Sequence, residues 1–351
     1  MKELQDIREK LLPLQPKELF YKEYRQVRQD PELLQAYINS FPEGYLCQIG
    51  GWIPEYTDTH TMEYIFEQPE IFKSNGDDVD VLVHTRYSPA LRHEHSFFEM
   101  MYVLCGSCLN EFDDVCLHMQ EGDICIISPH HHHYVDVADD NSILINIVIR
   151  TSTFNVTFAE FLAEENVLSD FFIRTLYMNY ANAYILFHTK GDALLHGQLE
   201  LLIREQFDHD TYTKTLKKQL LLSAFGYLLR HHADKTEISN TVNTRLMVVS
   251  QILRYLQEHY RTATLPEVAA HFNYTAPYLS SIVKEATKRT FSDILQDIRI
   301  KQACNLLNTT NYTAKEISMH VGYCNIEHFH RVFKKVTGTT PGKYRNTEPY
   351  F

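Results

Sequence analysis

His93, His95 and Glu99 stand two and four residues apart in the stretch RHEHSFFEMMYVLCG. On a strand, alternate side chains share a face, so all three would point the same way. Imidazoles and a carboxylate are ligands suited to a divalent transition metal. Cys105-Gly-Ser-Cys108 follows in the same stretch with redox-dithiol spacing. It lacks a βαβ context, and Leu109 rather than an aromatic residue follows the second thiol, so this pair reads as structural. A third group lies near the C-terminus, where Phe329 and Phe333 are one helical turn apart. Packing those two inward leaves Ile326, Glu327, His330, Arg331 and Lys334 on the other faces. An arginine there can grip a guanine edge or a phosphate, and a glutamate can accept from a cytosine amino group.

The 351 residues suffice for two or three domains, and 22% charged with 44% hydrophobic residues is an ordinary globular balance. Net charge is -12, which alone argues against a polyanionic partner. Its distribution reverses that impression. From Arg245 onward there are 14 basic and 8 acidic residues, against 19 basic and 37 acidic before it. A basic module on an acidic body is expected when one end alone meets phosphates. No apolar run approaches a membrane span and MKELQDIREK has no signal-peptide character, so a cytoplasmic location is expected, with no membrane partner. Seven cysteines, an odd number, are expected to be reduced.

The elements that would position these groups fall into five parts. Residues 1–44 are helix-like and interrupted by Pro13, Pro16 and Pro31. Residues 45–190 read mainly as short strands, among them Val79–Tyr87, Phe97–Leu104, Asp123–Ser128 and Ile143–Ile149, with close turns between them. Many strands joined by turns imply a sandwich or barrel. From Phe158 the pattern turns helical except at Tyr184–Phe187. Residues 191–232 carry paired amphipathic helices that either cover the barrel or form a dimer surface. A second apolar flank, Leu221, Leu222, Phe225, Leu228 and Leu229, favours the dimer. Residues 233–244 are polar and aperiodic, a linker.

Residues 245–351 form the last part. Thr313–Val321, a break at Gly322, and Asn325–Val336 ending at Gly338 make two short helices and a tight turn, a helix-turn-helix. Leu265–Phe272, Asn273-Tyr274 and Tyr278–Thr287 repeat it, with Thr275 as an N-cap and Pro277 in the first turn. Phe291–Leu307 joins the two units. Gly322, Tyr323, Phe329, Arg331, Phe333, Lys334, Lys335, Gly338, Pro341, Tyr344 and Arg345 together resemble the DNA-binding domain of the AraC/XylS family of transcription regulators. The resemblance covers about residues 245–346. It implies DNA contacts at Pro277, Tyr278, Ser280, Ser281 and Lys284 in the first unit, and at Asn325, Ile326, Glu327, His330, Arg331, Lys334 and Lys335 in the second. Two linked reading helices would enter successive major grooves about 34 Å apart on one face of the duplex.

The histidine stretch, with Gly106, resembles the first motif of the cupin barrel, and Gly122 through Ser128 and Pro129 to His133 resembles the second. Ser128 and His130 depart from the second pattern. On this resemblance His133, returning on a neighbouring strand, completes a three-histidine, one-glutamate set that a divalent transition metal could occupy. Three readings stand open: a cupin metalloenzyme or metal sensor, a sensory barrel that binds a sugar-like effector without catalysis, and histidines that are merely polar residues of a small barrel. The attached DNA-binding module argues against an enzyme. Trp52, Arg86, Tyr102 and Tyr134 are further pocket candidates. The expectation is therefore a multidomain α+β protein, a cupin-like barrel with flanking helices followed by an all-α domain of two helix-turn-helix units joined by a long helix. It implies operator DNA, a carbohydrate-like effector, a second copy of the chain, and RNA polymerase if transcription is activated.

Overall fold

The computed structural model describes residues 7–56, 63–66, 78–113, 115–153, 165–178, 183–207, 210–239 and 244–346. The helical reading at 158–164 and 179–182, part of the linker at 240–243, and the two chain ends lie outside the described residues. The chain divides into two compact units, Met1–Ile71 with Val79–Ile149 and Tyr184–Glu237, and Phe72–Asp78 with Arg150–Ala183 and Ile238–Phe351.

The first unit is built on strands β1 (Glu63–Phe66), β2 (Val79–Val83), β3 (Arg92–His95), β4 (Phe98–Cys105), β5 (Ser107–Glu111), β6 (Cys116–Gln120), β7 (Asp123–Ile127), β8 (Tyr134–Asp136), β9 (Ile143–Ile149), β10 (Tyr184–His188) and β11 (Thr236–Ile238). The main sheet runs β11-β10-β7-β4-β9-β2, a second sheet runs β6-β5-β8, and β1 pairs with β3. Met101 and Val103 of β4, Cys125 and Ile127 of β7 and Leu144 of β9 pack against Cys108, Leu117, Met119 and Val135 of the smaller sheet. The alternate residues Met100, Tyr102 and Leu104 are also fully buried, so β4 is covered on both faces. Gly106 turns the chain between β4 and β5 at φ 74°; a Cβ there would stand 2.2 Å from Ser142 Oγ.

Helices α1 (Ile7–Leu11), α2 (Pro16–Val27) and α3 (Pro31–Asn39) precede the sheets. Pro16 and Pro31 open helices rather than break them, because a first-turn proline gives up no helical hydrogen bond. Phe20, Tyr21 and Tyr24 of α2 form an apolar cluster with Leu34, Ile53 and Tyr87. A four-residue helix, α4 (Tyr45–Gln48), opens the stretch that the sequence reads as strand. The linker reading is also corrected in part. Thr236–Ile238 forms an edge strand, since a neighbour's open edge can hold so short and polar a segment.

Helix α5 (Val167–Met178) belongs to the second unit, and the long helices α6 (Ala193–Arg204) and α7 (Thr213–His232) belong to the first. Of the flank that favours a dimer, Leu221, Phe225 and Leu228 are fully buried within the chain, while Leu222 and Leu229 are half-buried. The exposed leucines of this pair are Leu194, Leu201 and Leu216.

In the second unit α5 (Val167–Met178) packs on α8 (Thr244–His259). Asp170 pairs with Arg254, Gln257 Nε2 donates to Tyr177 Oη, and Arg174 Nε donates to Ser250 Oγ at 3.3 Å. The barrel expected from the sequence, residues 45–190, includes this segment. The structure groups it with the helical module, which is where its ion pair and hydrogen bonds are made. Next come α9 (Leu265–His271), α10 (Ala276–Thr287), α11 (Phe291–Thr309), α12 (Ala314–His320), α13 (Ile326–Thr337) and α14 (Pro341–Asn346). Ile300, Ala303 and Leu307 of α11 share a core with Ile317, Phe329, Val332, Phe333 and Tyr344. The two predicted helix-turn-helix units and their joining helix are present with ends within three residues of the expected ones.

Candidate functional site

The two helix-turn-helix units share one plan. Thr264 and Thr313 are the N-caps of the first helices, and Val268-Ala269 and Ile317-Ser318 are their buried pairs. The turns follow at Asn273 (φ 58°) and Gly322 (φ 87°), both left-handed. Only glycine fits the second turn, because a Cβ at position 322 would lie 2.1 Å from the Arg261 carbonyl oxygen. After Tyr274 and Tyr323 the second unit carries one extra residue, Cys324. The second helices are then capped by Thr275, which accepts from Tyr278 N–H at 3.4 Å, and by Asn325, which accepts from His328 N–H at 3.0 Å. Both end in a left-handed residue, Lys288 and Gly338.

Within α10 the buried side is Leu279, Ile282 and Val283; within α13 it is Phe329, Val332 and Phe333. At 100° per residue the direction opposite the first set holds Pro277, Ser281 and Lys284, and opposite the second set Glu327, Arg331 and Lys334. All six are exposed. His330 and Lys335 are also exposed, Tyr278 flanks the corresponding face, and Ser280 and Ile326 are half-buried. The side-chain oxygen of Asn325 is committed to its cap. Among the described residues no side-chain hydrogen bond or ion pair holds Arg331 or Lys334 to the rest of the fold.

The sheet unit holds a cavity of about 380 Å³, lined among others by Lys17, Trp52, His84, His93, His95 and Glu99. A mutual backbone pair, His93 N–H to His133 C=O and the reverse at 3.0 Å each, joins the two histidine stretches. Ligand atoms of His93, Glu99 and His133 lie within 4.8 Å of one another. Glu99 Oε2 is 3.5 Å from both His95 Nε2 and His133 Nε2, long for a hydrogen bond, and none of these three buried atoms has a hydrogen-bond partner. The opposite ring nitrogens are engaged. His93 Nδ1 donates to Leu91 C=O at 2.9 Å, His95 Nδ1 to Phe97 C=O at 2.6 Å, and His133 Nδ1 to Asn110 Oδ1 at 3.0 Å. A carbonyl only accepts, so Nδ1 of each ring carries a proton, and Nε2 of His95 and of His133 is the nitrogen turned toward the carboxylate.

Burial drives the His93 imidazole below its ordinary pKa, and burial with neighbouring imidazoles drives His133 well below. Burial raises the Glu99 carboxyl, but His95, His93 and His84 more than offset this and leave it below its usual value. Neutral imidazoles, an ionised carboxylate and outer hydrogen bonds that fix each ring are what a divalent transition metal requires. His93, Glu99 and His133 therefore fit one, while His95, 3.5 Å from Glu99, lies outside that mutually close set.

The other pocket candidates separate. Trp52 lines the cavity, its N–H and C=O both bound by Tyr21 Oη at 2.9 Å. Tyr102 does not line it. It lies three residues from Glu99, an odd step that turns it to the opposite face of β4, near His196. Tyr134 is likewise one residue off Val135, which does line the cavity. Arg86 is consumed structurally. Its Nε and Nη2 donate to Glu18 at 2.9 and 2.8 Å, and its Nη1 donates to Leu12 C=O and Asp140 C=O. Sequence reasoning missed Lys17, His84 and Asn146 on the cavity wall. His84 and Asn146 share the alternation of β2 and β9, but nothing local marks Lys17.

Known proteins fit both halves. The family model of an AraC-like ligand-binding domain matches residues 84–222, and that of a helix-turn-helix domain matches 268–347. An uncharacterized HTH-type transcriptional regulator, YfiF of Bacillus subtilis (strain 168), is 25% identical over 77% of this chain and 84% of its own. The HTH-type transcriptional activator RhaS of Klebsiella pneumoniae (strain 342) is 24% identical over 80% of this chain and 96% of its own. The C-terminal domain of AraT, a response regulator from Geobacillus stearothermophilus, is 32% identical over 31% of this chain and 89% of that domain, with a TM-score of 0.29. ToxT from Vibrio cholerae O395 covers 78% of this chain and 98% of its own at 12% identity, with a TM-score of 0.31. The chain belongs to the AraC family, as a DNA-binding transcriptional regulator that carries a ligand-binding domain ahead of its helix-turn-helix module.

Proposed function

We propose that this regulator reads a bipartite operator with α10 and α13 and responds to a small, sugar-like effector bound in the sheet-unit cavity without turning it over. The observation that carries the DNA reading is the shared register of the two second helices, Pro277, Ser281 and Lys284 on one and Glu327, Arg331 and Lys334 on the other, each set opposite a buried apolar face. The second helix is the better base reader, since Ser281 stands where Arg331 stands. Asn325 contributes by capping, and Lys335, Tyr278, Ser280, His330 and Ile326 flank the reading faces.

The effector reading rests on the cavity wall. Asn146 Oδ1 and His84 Nε2 are buried there without hydrogen-bond partners, and hydroxyl groups would satisfy both. A volume of about 380 Å³ lies at the low end of the roughly 300–1,000 Å³ of small-molecule sites, the scale of a monosaccharide. The effector must bind two states of the regulator unequally to switch it. Leu194 and Leu201 on α6 and Leu216 on α7 are exposed apolar side chains that a second copy of the chain would cover. RNA polymerase enters as a partner if the outcome is activation, as the name of the Klebsiella relative indicates for that protein.

A metal-dependent variant of this reading is favoured by one observation, the unpartnered Nε2 atoms of His95 and His133 around Glu99 Oε2. A bound divalent ion would remove that mismatch and present a Lewis acid to the effector. Elemental analysis of untagged protein, before and after incubation with zinc or manganese, tests it; the expected result is about one ion per chain, and none at saturation refutes it. For the main reading, operator fragments are selected from random DNA and titrated with protein, with and without a sugar panel. Selected, salt-sensitive binding that an added sugar alters supports it. Binding without sequence selection contradicts it.

A further inference from the structure

We infer that the effector is a polyhydroxylated anion of monosaccharide size, its acidic group held by Lys17. This rests on the effector reading above and narrows its ligand class. Lys17 and Glu99 are the charged side chains of the cavity lining. Glu99 sits 5% exposed among imidazoles, so the lysine is the free charge at the cavity's edge. It lines both the cavity and an adjoining open pocket with Gln15, Glu18 and Gln48, and His84 lines both as well.

Among the described residues no carboxylate lies within ion-pair distance of Lys17. Its sequence neighbour Glu18 is spent on Arg86, which engages both carboxylate oxygens through side-chain and backbone donors. The Lys17 ammonium instead lies 6.0 Å over the Tyr21 ring, and burial lowers its pKa. A half-buried ammonium without a counter-charge is costly, and a ligand anion supplies the missing partner.

The rest of the wall excludes a simple hydrophobic acid. Asn146 Oδ1 needs a donor and His84 Nε2 needs a hydrogen-bonding partner, and both lie outside the metal-fitting set. An alkyl or aryl carboxylate would leave them unsatisfied, and a neutral sugar would leave Lys17 unpaired. A sugar acid or a sugar phosphate satisfies all three, with Trp52 also among the lining residues.

The test is a thermal-shift and calorimetric comparison of full-length protein of measured metal content with matched probes: glucose, galactose, gluconate, glucuronate, galacturonate and glucose 6-phosphate. At least one acid or phosphate is expected to bind at least tenfold more tightly than its neutral parent; acid against phosphate names the group. Lys17→Gln should abolish that difference, and Lys17→Arg should restore it. Equal or tighter binding of neutral parents overturns the inference and leaves the sugar-like reading standing. Anion binding that Lys17→Gln leaves unchanged overturns the lysine's role. Absence of binding by every probe overturns both the inference and the sugar-like reading, while operator binding remains separately measurable.

Discussion

Replacing Arg331 by alanine removes the cation at the middle of the α13 reading face. The side chain is exposed and makes no hydrogen bond or ion pair among the described residues, and alanine is at least as good a helix former. Thermal stability should therefore stay within about 0.5 kcal/mol of the parent. Phe329, Val332 and Phe333 stay in place beneath it. The loss then appears only on DNA, at roughly 1–3 kcal/mol for a side chain that reads a base edge. With 1.4 kcal/mol to each factor of ten, operator affinity should fall about 5- to 150-fold. Ser281 occupies the same place on α10 but offers a neutral hydroxyl, whose loss costs about 0.5–1.5 kcal/mol. Arg331→Ala should thus exceed Ser281→Ala. Lys334→Ala should weaken binding evenly across sequences and reduce the salt slope by about one. Fluorescence anisotropy on a selected operator at fixed salt measures all three. A folded Arg331→Ala variant that loses less than about twofold, or a Ser281→Ala variant that loses more than it, would refute the assignment.

Three further outcomes follow from the packing. Gly322→Ala should destabilise the helical module more than Gly338→Ala in thermal melts. Both sit at left-handed φ, costing about 1–2 kcal/mol, but only position 322 brings a Cβ against a carbonyl oxygen. Glu18→Gln should cost about 3–5 kcal/mol near neutral pH, because it strands buried Arg86. Although burial raises the Glu18 carboxyl, its bonds to Arg86 and Gln15 more than offset this and hold it below its ordinary value. Its contribution is therefore present above the unfolded glutamate pKa of about 4.3 and is lost as pH falls through the lower folded value. The gap between parent and variant should close on acidification in pH-resolved denaturant melts; a constant gap would contradict the pairing. Asn110→Leu removes the acceptor for His133 Nδ1–H and should weaken zinc binding about 10–100-fold in competition titrations. An unchanged zinc affinity would count against the metal set.

The helical module was readable because its signals are local. Thr275, Thr313, Pro277, Gly322 and Gly338 mark caps and turns within a few residues of the hydrogen bonds they control. The strands are legible from alternation, but His93 and His95 on β3 and Glu99 on β4 are separated by a bend at Ser96-Phe97, so folding between two sheets and not one strand's alternation brings them together. Strand parity places Tyr102 and Tyr134 off the cavity, a signal that is present in the sequence. Arg86 was different in kind. Its partner Glu18 lies 68 residues away, and nothing local separates a pocket arginine from a structural one. The docking of α5 through Asp170 and Arg254 joins residues 84 apart and is equally tertiary. Lys17 acquires its meaning only because Glu18 is already taken.

The central claim is a bipartite DNA reader within a single chain, and hydroxyl-radical footprinting on a selected operator tests it most directly. Two protected backbone patches per chain are expected on one face of the duplex, centred about 10 base pairs apart. Arg331→Ala should clear the patch over α13 before the patch over α10. A single patch per chain, or two that vanish together with Arg331→Ala at every protein concentration, would contradict it.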